Sequence, residues 1–216
     1  MSLHKDTTFQ DLDLPLVAIL RGVMPKEVLK IATVLVGQGF TKIEVPLNSP
    51  DALSSITLLS KEFDDTIQIG AGTVTQLSLA QAVIDTGAKL IVTPNFDHAV
   101  VKAALAAKCE CYCGVVTPTE CFAAIQAGVT KLKVFPISML NISGFKALKS
   151  VLPSTIKTYP VGGIEATAHS MHPYLAAGAT GFGLGSALYR PNMSLDELAS
   201  NAKAFVKTFR AFDAAS

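Results

Sequence analysis

Two lysines stand two residues apart in a short apolar segment, at Lys131 and Lys133, and the segment ends at Pro136. Side chains alternate across a strand, so the lysines share one face while Leu132 and Val134 share the other. If helices cover the apolar face, the lysines point into the fold, where an amine is costly unless it is paired or used. Two hypotheses remain open for this segment: Lys133 is a nucleophilic amine, or the lysines are solvated on an edge strand.

The same spacing recurs at Lys42 and Glu44. In each segment the later residue lies nearer the carboxyl end of the strand, so we expect Glu44 and Lys133 near one end of the fold. Lys42 and Lys131 should lie toward the opposite end, with their amines extended to the rim. Glu44 could move protons for Lys133, or the two could form a buried ion pair that joins two strands.

A lysine amine attacks a ketone only when it is neutral, and its usual pKa of about 10.4 leaves little neutral amine at pH 7. Lowering that pKa to about 7–8 requires about 4 kcal/mol of desolvation or nearby positive charge. An apolar interior supplies desolvation, and Arg21 or Lys131 could supply charge. A close carboxylate would instead raise the pKa of the amine. We therefore expect Glu44 at proton-relay distance from the reacting carbons and outside a tight pair with Lys133.

Apolar β-branched segments alternate with segments of helical period along the whole chain. The predicted strands cover 16–20, 42–46, 68–71, 90–93, 110–114, 131–135, 157–161 and 181–185. The predicted helices cover 26–37, 51–63, 77–86, 97–107, 118–127, 144–151, 167–177 and 195–211. Helix starts are indicated by Thr75, Asn95, Pro118 and Thr117 or Ser143.

Four helices end in a glycine that leads directly into a strand: Gly39, Gly87, Gly128 and Gly178. Eight such units with short connections predict a parallel, closed (β/α)8 TIM barrel, formed by residues 1–216 as a single domain. Residues 4–13, within an N-terminal segment 1–14, would form a short extra helix at the bottom of the barrel. An open doubly wound sheet is the alternative, but no G-x-G-x-x-G follows the first strand.

Chemistry in such a barrel takes place at the carboxyl ends of the strands. The last two strands end in Gly162-Gly163 and Gly185-Ser186. Glycines let backbone N–H groups approach a phosphate closely, and Ser186 adds a hydroxyl, so the pair of turns predicts a phosphate site. Two ordinary β-to-α turns are the alternative.

The composition excludes several other classes of protein. The net charge of +1 provides no footprint for nucleic acid, and no run of about 18 apolar residues predicts a membrane span. Residues 1–14 lack the apolar centre of a signal peptide, so we expect a cytoplasmic protein.

The cysteines lack C-x-x-C spacing, which favours ordinary buried thiols. No cluster of Asp, Glu and His predicts a metal, and no histidine follows a strand.

As a set, the strand ends resemble the class I 2-keto-3-deoxy-6-phosphogluconate/galactonate aldolases. The matching segments are 43–50, 70–74, 92–95, 117–120, 132–136 and 161–164, in the family's order, and the likeness extends from about Leu14 to Arg210. The resemblance implies a homotrimeric (β/α)8 barrel without cofactor or metal. It also implies cleavage of a phosphorylated keto sugar acid to pyruvate and D-glyceraldehyde 3-phosphate.

The resemblance also suggests roles for individual residues. Lys133 is similar to the family's Schiff-base lysine and Glu44 to its general acid/base. The residues similar to substrate-binding residues are Arg21, Asn48, Thr73, Pro94, Val161, Gly162, Gly163, Gly185 and Ser186.

Asn48 and Val161 stand where the gluconate enzymes usually carry Arg and Thr, so the chain looks closer to the galactonate branch. A gluconate aldolase or an enzyme with dual specificity is the alternative. The segment 113–116 and Ile137 depart from the family pattern near the expected pocket. Outside the aldolases, another sugar-phosphate-binding barrel and a non-catalytic protein with a Lys133–Glu44 ion pair remain open.

Overall fold

The computed structural model describes residues 14–214. It contains eight strands: β1 (Leu16–Ile19), β2 (Lys42–Pro46), β3 (Gln68–Gly72), β4 (Leu90–Val92), β5 (Glu110–Val115), β6 (Lys131–Val134), β7 (Lys157–Pro160) and β8 (Phe182–Leu184). A helix follows each strand: α1 (Pro25–Gly37), α2 (Ala52–Glu62), α3 (Leu77–Asp85), α4 (His98–Ala106), α5 (Pro118–Gln126), α6 (Ile142–Val151), α7 (Ala168–Ala176) and α8 (Leu195–Asp213).

The strands form one parallel sheet in the order β7-β6-β5-β4-β3-β2-β1-β8. The two strands at the ends of this order, β7 and β8, meet through a parallel bridge between Val161, directly after β7, and Gly183. The N–H of Thr180 also donates to the carbonyl of Thr158 at 2.8 Å, beside the same junction. The sheet is therefore a nearly closed (β/α)8 barrel, which confirms the predicted fold and excludes the open doubly wound sheet.

Alternation along the strands separates two apolar layers. Ile43, Val45, Leu132 and Val134 are fully buried in the core between the sheet and its helices. A second cluster fills the barrel interior and consists of Val17, Leu90, Val92, Tyr112 and Tyr159. Residues on the other face of β2 and β6, including Lys42, Glu44 and Lys133, therefore point inward, as alternation predicts.

The helix starts agree with the sequence in one case and differ in three. Thr117 caps α5, where its hydroxyl and the Glu120 carboxylate form a reciprocal capping box. The residues before α3, α4 and α6 are instead Gln76, Asp97 and Asn141. Asp97 and Asn141 each accept from a backbone N–H in the first turn, so a side-chain acceptor lies within two residues of the predicted caps of α4 and α6. Gln76 makes no such bond at the start of α3.

The predicted extra helix at 4–13 lies outside the described residues. The four cysteines are buried free thiols of the outer core. No helix within residues 14–214 is both long and apolar enough to cross a bilayer.

Candidate active site

Lys133 projects from β6 into the barrel interior, and only 5% of the residue is exposed. Its Nζ lies 4.9 Å from the centre of the Phe135 ring. Burial lowers the pKa of the Lys133 amine; Glu44 acts in the opposite direction, and Arg21 adds to the lowering. Desolvation is thus the main cause of a larger neutral fraction, which is the form that attacks a carbonyl.

Glu44 projects from β2 into the same interior and is 1% exposed. Burial raises the pKa of its carboxyl to about 7, although Lys133 and Arg21 both act to lower it. Among the described residues, Oε2 of Glu44 has no hydrogen-bond partner. A carboxyl with a pKa near neutrality is suited both to donate and to accept a proton at physiological pH.

Within residues 14–214, Lys133 and Glu44 form neither a salt bridge nor a hydrogen bond with each other. They line one small cavity together with Ile19, Val92 and Val161. The cavity has about 10 Å³ of free space, roughly what one water molecule needs. The amine and carboxyl therefore face each other in a nearly dry chamber without being paired, an arrangement that favours proton relay over a structural ion pair.

A wider cavity of about 160 Å³ adjoins this chamber, and both are lined by Ile19, Val161 and Gly183. The wider cavity is also lined by Arg21, Phe135, Gly162, Gly163, Gly185 and Ser186. The two sequence-predicted glycine turns and the arginine therefore meet beside the Lys133–Glu44 chamber.

The backbone of the Gly162-Gly163 turn explains its composition. The φ angles are 105° and 76°, in the left-handed region that side chains disfavour. No acceptor within residues 14–214 takes the N–H groups of Gly163 or Ser186. Unpaired N–H donors around a cavity beside an arginine make a setting for an anion such as phosphate.

Arg21 and Asn48 meet at the rim of the barrel. Nη1 of Arg21 donates to Oδ1 of Asn48 at 2.7 Å, and the N–H of Gly22 donates to Oγ of Ser49 at 2.9 Å. These two bonds join the turns after β1 and β2. Asn48 therefore holds the guanidinium that contributes positive charge at both Lys133 and Glu44.

Thr73 and Pro94 follow β3 and β4 at the same end of the barrel, but neither lines the two cavities described above. Thr73 has φ of 59°, a strained conformation for a β-branched residue. Pro94 packs against Gly114, where a side chain would overlap the Pro94 carbonyl. The structure places both residues beside the site without joining them to its inner chamber.

Three comparisons with known proteins show which family this chain belongs to. The sequence model of the family "KDPG and KHG aldolase" matches residues 11–201. The 2-dehydro-3-deoxy-6-phosphogalactonate aldolase of Escherichia coli (strain K12) is 42% identical over 197 residues, or 91% of this chain and 95% of that protein. The chain belongs to the KDPG and KHG aldolase family.

Two further relatives fit the same family. The 2-dehydro-3-deoxy-phosphogluconate aldolase of Zymomonas mobilis (strain ATCC 31821) is 31% identical over 164 residues, covering 72% of this chain and 77% of that protein. A solved structure described as native KDPGal superposes with a TM-score of 0.90 at 40% identity, covering 94% of this chain and 97% of that one. Its TIM-barrel architecture is the one described above.

The two departures from the aldolase pattern have structural roles next to the site. Cys113 and Val115 are buried in the outer core, and Gly114 between them accommodates Pro94. The N–H of Ile137 donates to the carbonyl of Val161 at 2.9 Å and ties the turn after β6 to the end of β7. The side chain of Cys113 points away from the barrel interior, because it packs in the outer core. At the other departure in segment 113–116, the N–H of Val116 donates to Oε2 of Glu120 at 2.9 Å and ties the end of β5 to the first turn of α5.

The sequence did not reveal the partner of Lys131. Its Nζ lies 2.5 Å from Glu110 Oε1 and 5.3 Å from the centre of the Tyr112 ring, so an ion pair joins β5 and β6. Glu110 opens β5 and is two residues from Tyr112 on the same face, a pattern that could have indicated the pair. Lys131 and Lys133 therefore have different environments, one paired and one not, although they share a strand face.

The histidines lie away from the inner chamber. His98 begins α4, and His169 and His172 lie on α7, where His172 Nε2 is 3.1 Å from the carbonyl of Thr208. His4 is outside the described residues. Among residues 14–214, no group of three or more His, Cys, Asp or Glu side chains is arranged to hold a metal ion.

Proposed function

We propose that this protein is a class I aldolase that cleaves 2-dehydro-3-deoxy-6-phosphogalactonate to pyruvate and D-glyceraldehyde 3-phosphate. The observation that carries the proposal is the buried, unpaired Lys133 opposite Glu44, beside a cavity lined by glycine turns. The 42% identity to a galactonate aldolase over nearly the whole chain supports it independently.

The reaction begins at the neutral amine of Lys133. Nζ attacks the C2 ketone to give a carbinolamine, and Glu44 donates the proton with which the hydroxyl leaves as water. The product is a protonated imine, which withdraws electrons from C3 far more strongly than the ketone does. Burial, which lowers the pKa of Lys133, increases the fraction of amine able to start the reaction.

The ionised Glu44 carboxylate then accepts the proton of the C4 hydroxyl. The C3–C4 bond breaks, its electron pair moves into the imine to give an enamine, and glyceraldehyde 3-phosphate leaves. Glu44 returns the proton to C3, and hydrolysis of the resulting imine releases pyruvate and the free amine. A pKa of about 7 allows Glu44 to alternate between these roles.

The remaining residues bind the substrate. The N–H groups of Gly162, Gly163 and Ser186, with Gly185 in the same cavity, hold the phosphate. Arg21 and the groups near Thr73 hold the carboxylate and the hydroxyls, and Pro94 belongs to the wall around the pyruvyl end; the assignment of Thr73 and Pro94 rests on their similarity to the family's binding residues. Since the cavity of the glycine turns adjoins the chamber, a phosphate there leaves the rest of an open-chain substrate directed toward Lys133.

The galactonate epimer is preferred for two reasons. Identity is 42% to the galactonate relative and 31% to the gluconate relative. Asn48 and Val161 also resemble the galactonate branch, and Asn48 fixes Arg21 at the rim. Parallel kinetics with the two 6-phosphate epimers test this assignment. Equal kcat/KM values would indicate dual specificity, and a preference for the gluconate epimer would refute it.

Covalent trapping tests the chemistry itself. Pyruvate with borohydride should add one reduced pyruvyl group to the wild-type protein, measured by mass spectrometry. Lys133→Ala should abolish the adduct, whereas Lys131→Met, two residues away on the same face, should retain it. An adduct on Lys133→Ala would show that the nucleophile is another residue. Absence of any adduct on the wild-type protein would favour a different sugar-phosphate-binding barrel or a structural ion pair.

We also propose that residues 1–216 form one domain, that the protein acts in the cytoplasm, and that it assembles as a homotrimer. Buried free thiols suit a reducing compartment. Sedimentation velocity should yield a single species of three chains. A monomer or dimer at micromolar concentration would contradict the trimer.

A further inference from the structure

Gly72 ends β3 next to the end of β2, where it is in register with Pro46. It lies on the inward face of its strand, beside the Glu44 side chain. A Cβ atom built on Gly72 would overlap the carboxyl carbon and both carboxyl oxygens of Glu44. The space that a side chain would take at position 72 is therefore already filled by the proposed acid/base.

The backbone does not explain why this residue is glycine. Gly72 has no left-handed φ, in contrast to Gly162 and Gly163. An alanine would therefore be free of backbone strain. The requirement for glycine comes from contact with the carboxyl group.

The kind of contact predicts which part of the molecule would move. At Gly70, on the same strand, a Cβ would overlap the backbone carbonyl of Leu90, so a substitution there would disturb the sheet. At Gly72 the three nearest atoms all belong to the carboxyl end of the Glu44 side chain, which has three rotatable bonds. Alanine at position 72 would therefore displace the carboxyl group while leaving β2 and β3 in place.

We propose that Gly72 is a positioning residue for Glu44: its missing side chain leaves the space in which the carboxyl is held, dry and unpaired, opposite Lys133. This inference rests on the proposed aldolase function. A substitution at position 72 distinguishes proton transfer by Glu44 from attack by the Lys133 amine, because it displaces the carboxyl group and leaves the backbone position of Lys133 on β6 unchanged.

The test compares two activities of Gly72→Ala with those of the wild-type protein. Borohydride trapping of pyruvate reports on Lys133, and exchange of the pyruvate methyl protons in D₂O, followed by NMR, reports on Glu44. We expect the adduct still to form to completion, although more slowly because Glu44 also assists the loss of water from the carbinolamine, and exchange to fall at least tenfold. The pH midpoint of the exchange profile should also move, since a displaced carboxyl has a different burial.

Two further variants separate this role from a general effect on folding. Gly37→Ala, at the end of α1 with open space around its Cβ, should match the wild-type protein in both activities. In Gly72→Ala/Glu44→Asp, the shorter side chain withdraws the carboxyl by one methylene and relieves the overlap. The double variant should exchange several-fold faster than Gly72→Ala, although Glu44→Asp alone is slower than wild type.

Three outcomes would overturn the inference. The first is exchange in Gly72→Ala at the wild-type rate with the wild-type pH midpoint. The second is a joint fall of trapping, exchange and melting temperature in Gly72→Ala. The third is a double variant whose exchange rate is reduced by the product of the two single-variant factors. Failure of the wild-type protein to trap pyruvate would instead refute the proposed function, so the two failures are distinguishable.

Discussion

Replacing Glu44 by Gln should remove a loss of stability that the wild-type protein undergoes as pH rises. The carboxyl is almost fully buried, and burial raises its pKa from 4.5 to about 7. Between these values the native state holds a proton that the unfolded chain has released, so the free energy of unfolding falls as pH rises. Gln has nearly the same shape and does not ionise, so it escapes this loss.

The size of the effect follows from the two pKa values. The separation between 4.5 and about 7, at about 1.4 kcal/mol per pH unit, corresponds to about 3 kcal/mol. The loss begins near pH 4.5 and is complete above pH ~7. The free energy of unfolding falls by about 3 kcal/mol per M of urea for a chain of this size. The urea midpoint of Glu44→Gln minus that of the wild-type protein should therefore increase by about 1 M between pH 4.5 and 8.

The measurement is equilibrium unfolding in urea at half-unit steps from pH 4.5 to 8.5, at one fixed protein concentration. Glu62→Gln is the matched control, because Glu62 is exposed on the outer helix α2. Its stability curve should run parallel to that of the wild-type protein. In a Lys133→Met background the effect of Glu44→Gln should grow, since Lys133 lowers the pKa of Glu44.

Two results would refute the reasoning. A constant difference between Glu44→Gln and wild type at every pH would mean that folding does not change the titration of Glu44. A wild-type protein that gains stability over the variant as pH rises would mean that its carboxylate is stabilised by an ion pair. The second result would restore the structural interpretation of Lys133 and Glu44.

Three further predictions concern the charges and the phosphate cavity. Arg21→Met should move the pH dependence of pyruvate trapping to higher pH, because Arg21 lowers the pKa of Lys133; an unchanged profile would contradict this electrostatic role. Ser186→Asp should raise KM for the phosphorylated substrate about tenfold or more through charge repulsion, with methyl exchange of pyruvate unchanged; slower exchange would place Ser186 in the inner chamber. Lys131→Met should lower the free energy of unfolding in urea by about 1–3 kcal/mol, because it leaves the Glu110 carboxylate without its partner; equal stability would show that water replaces the lysine.

The order and type of the elements could be predicted because each obeys a local rule. The glycines at 39, 87, 128 and 178 adopt positive φ immediately after their helices, as the pattern indicated. Three helix caps were misplaced by one or two residues, since several Asn, Asp, Ser and Thr residues compete near each start and packing selects among them.

For the site, the sequence by itself determined which residues stand at strand ends and which face of each strand they occupy. Alternation placed Glu44 and Lys133 inside, and the glycine pairs marked the turns that gather beside Arg21. The roles of these residues remain proposals that the experiments above address.

Only the tertiary structure decided how inward-facing residues of different strands meet. It paired Lys131 with Glu110 and left Lys133 and Glu44 facing each other without an ion pair. It also placed the Glu44 carboxyl in the space that Gly72 leaves open. The physical reason is that curvature and closure of the barrel set the distances across its interior, and no local pattern along one strand encodes the side chain that a neighbouring strand brings opposite.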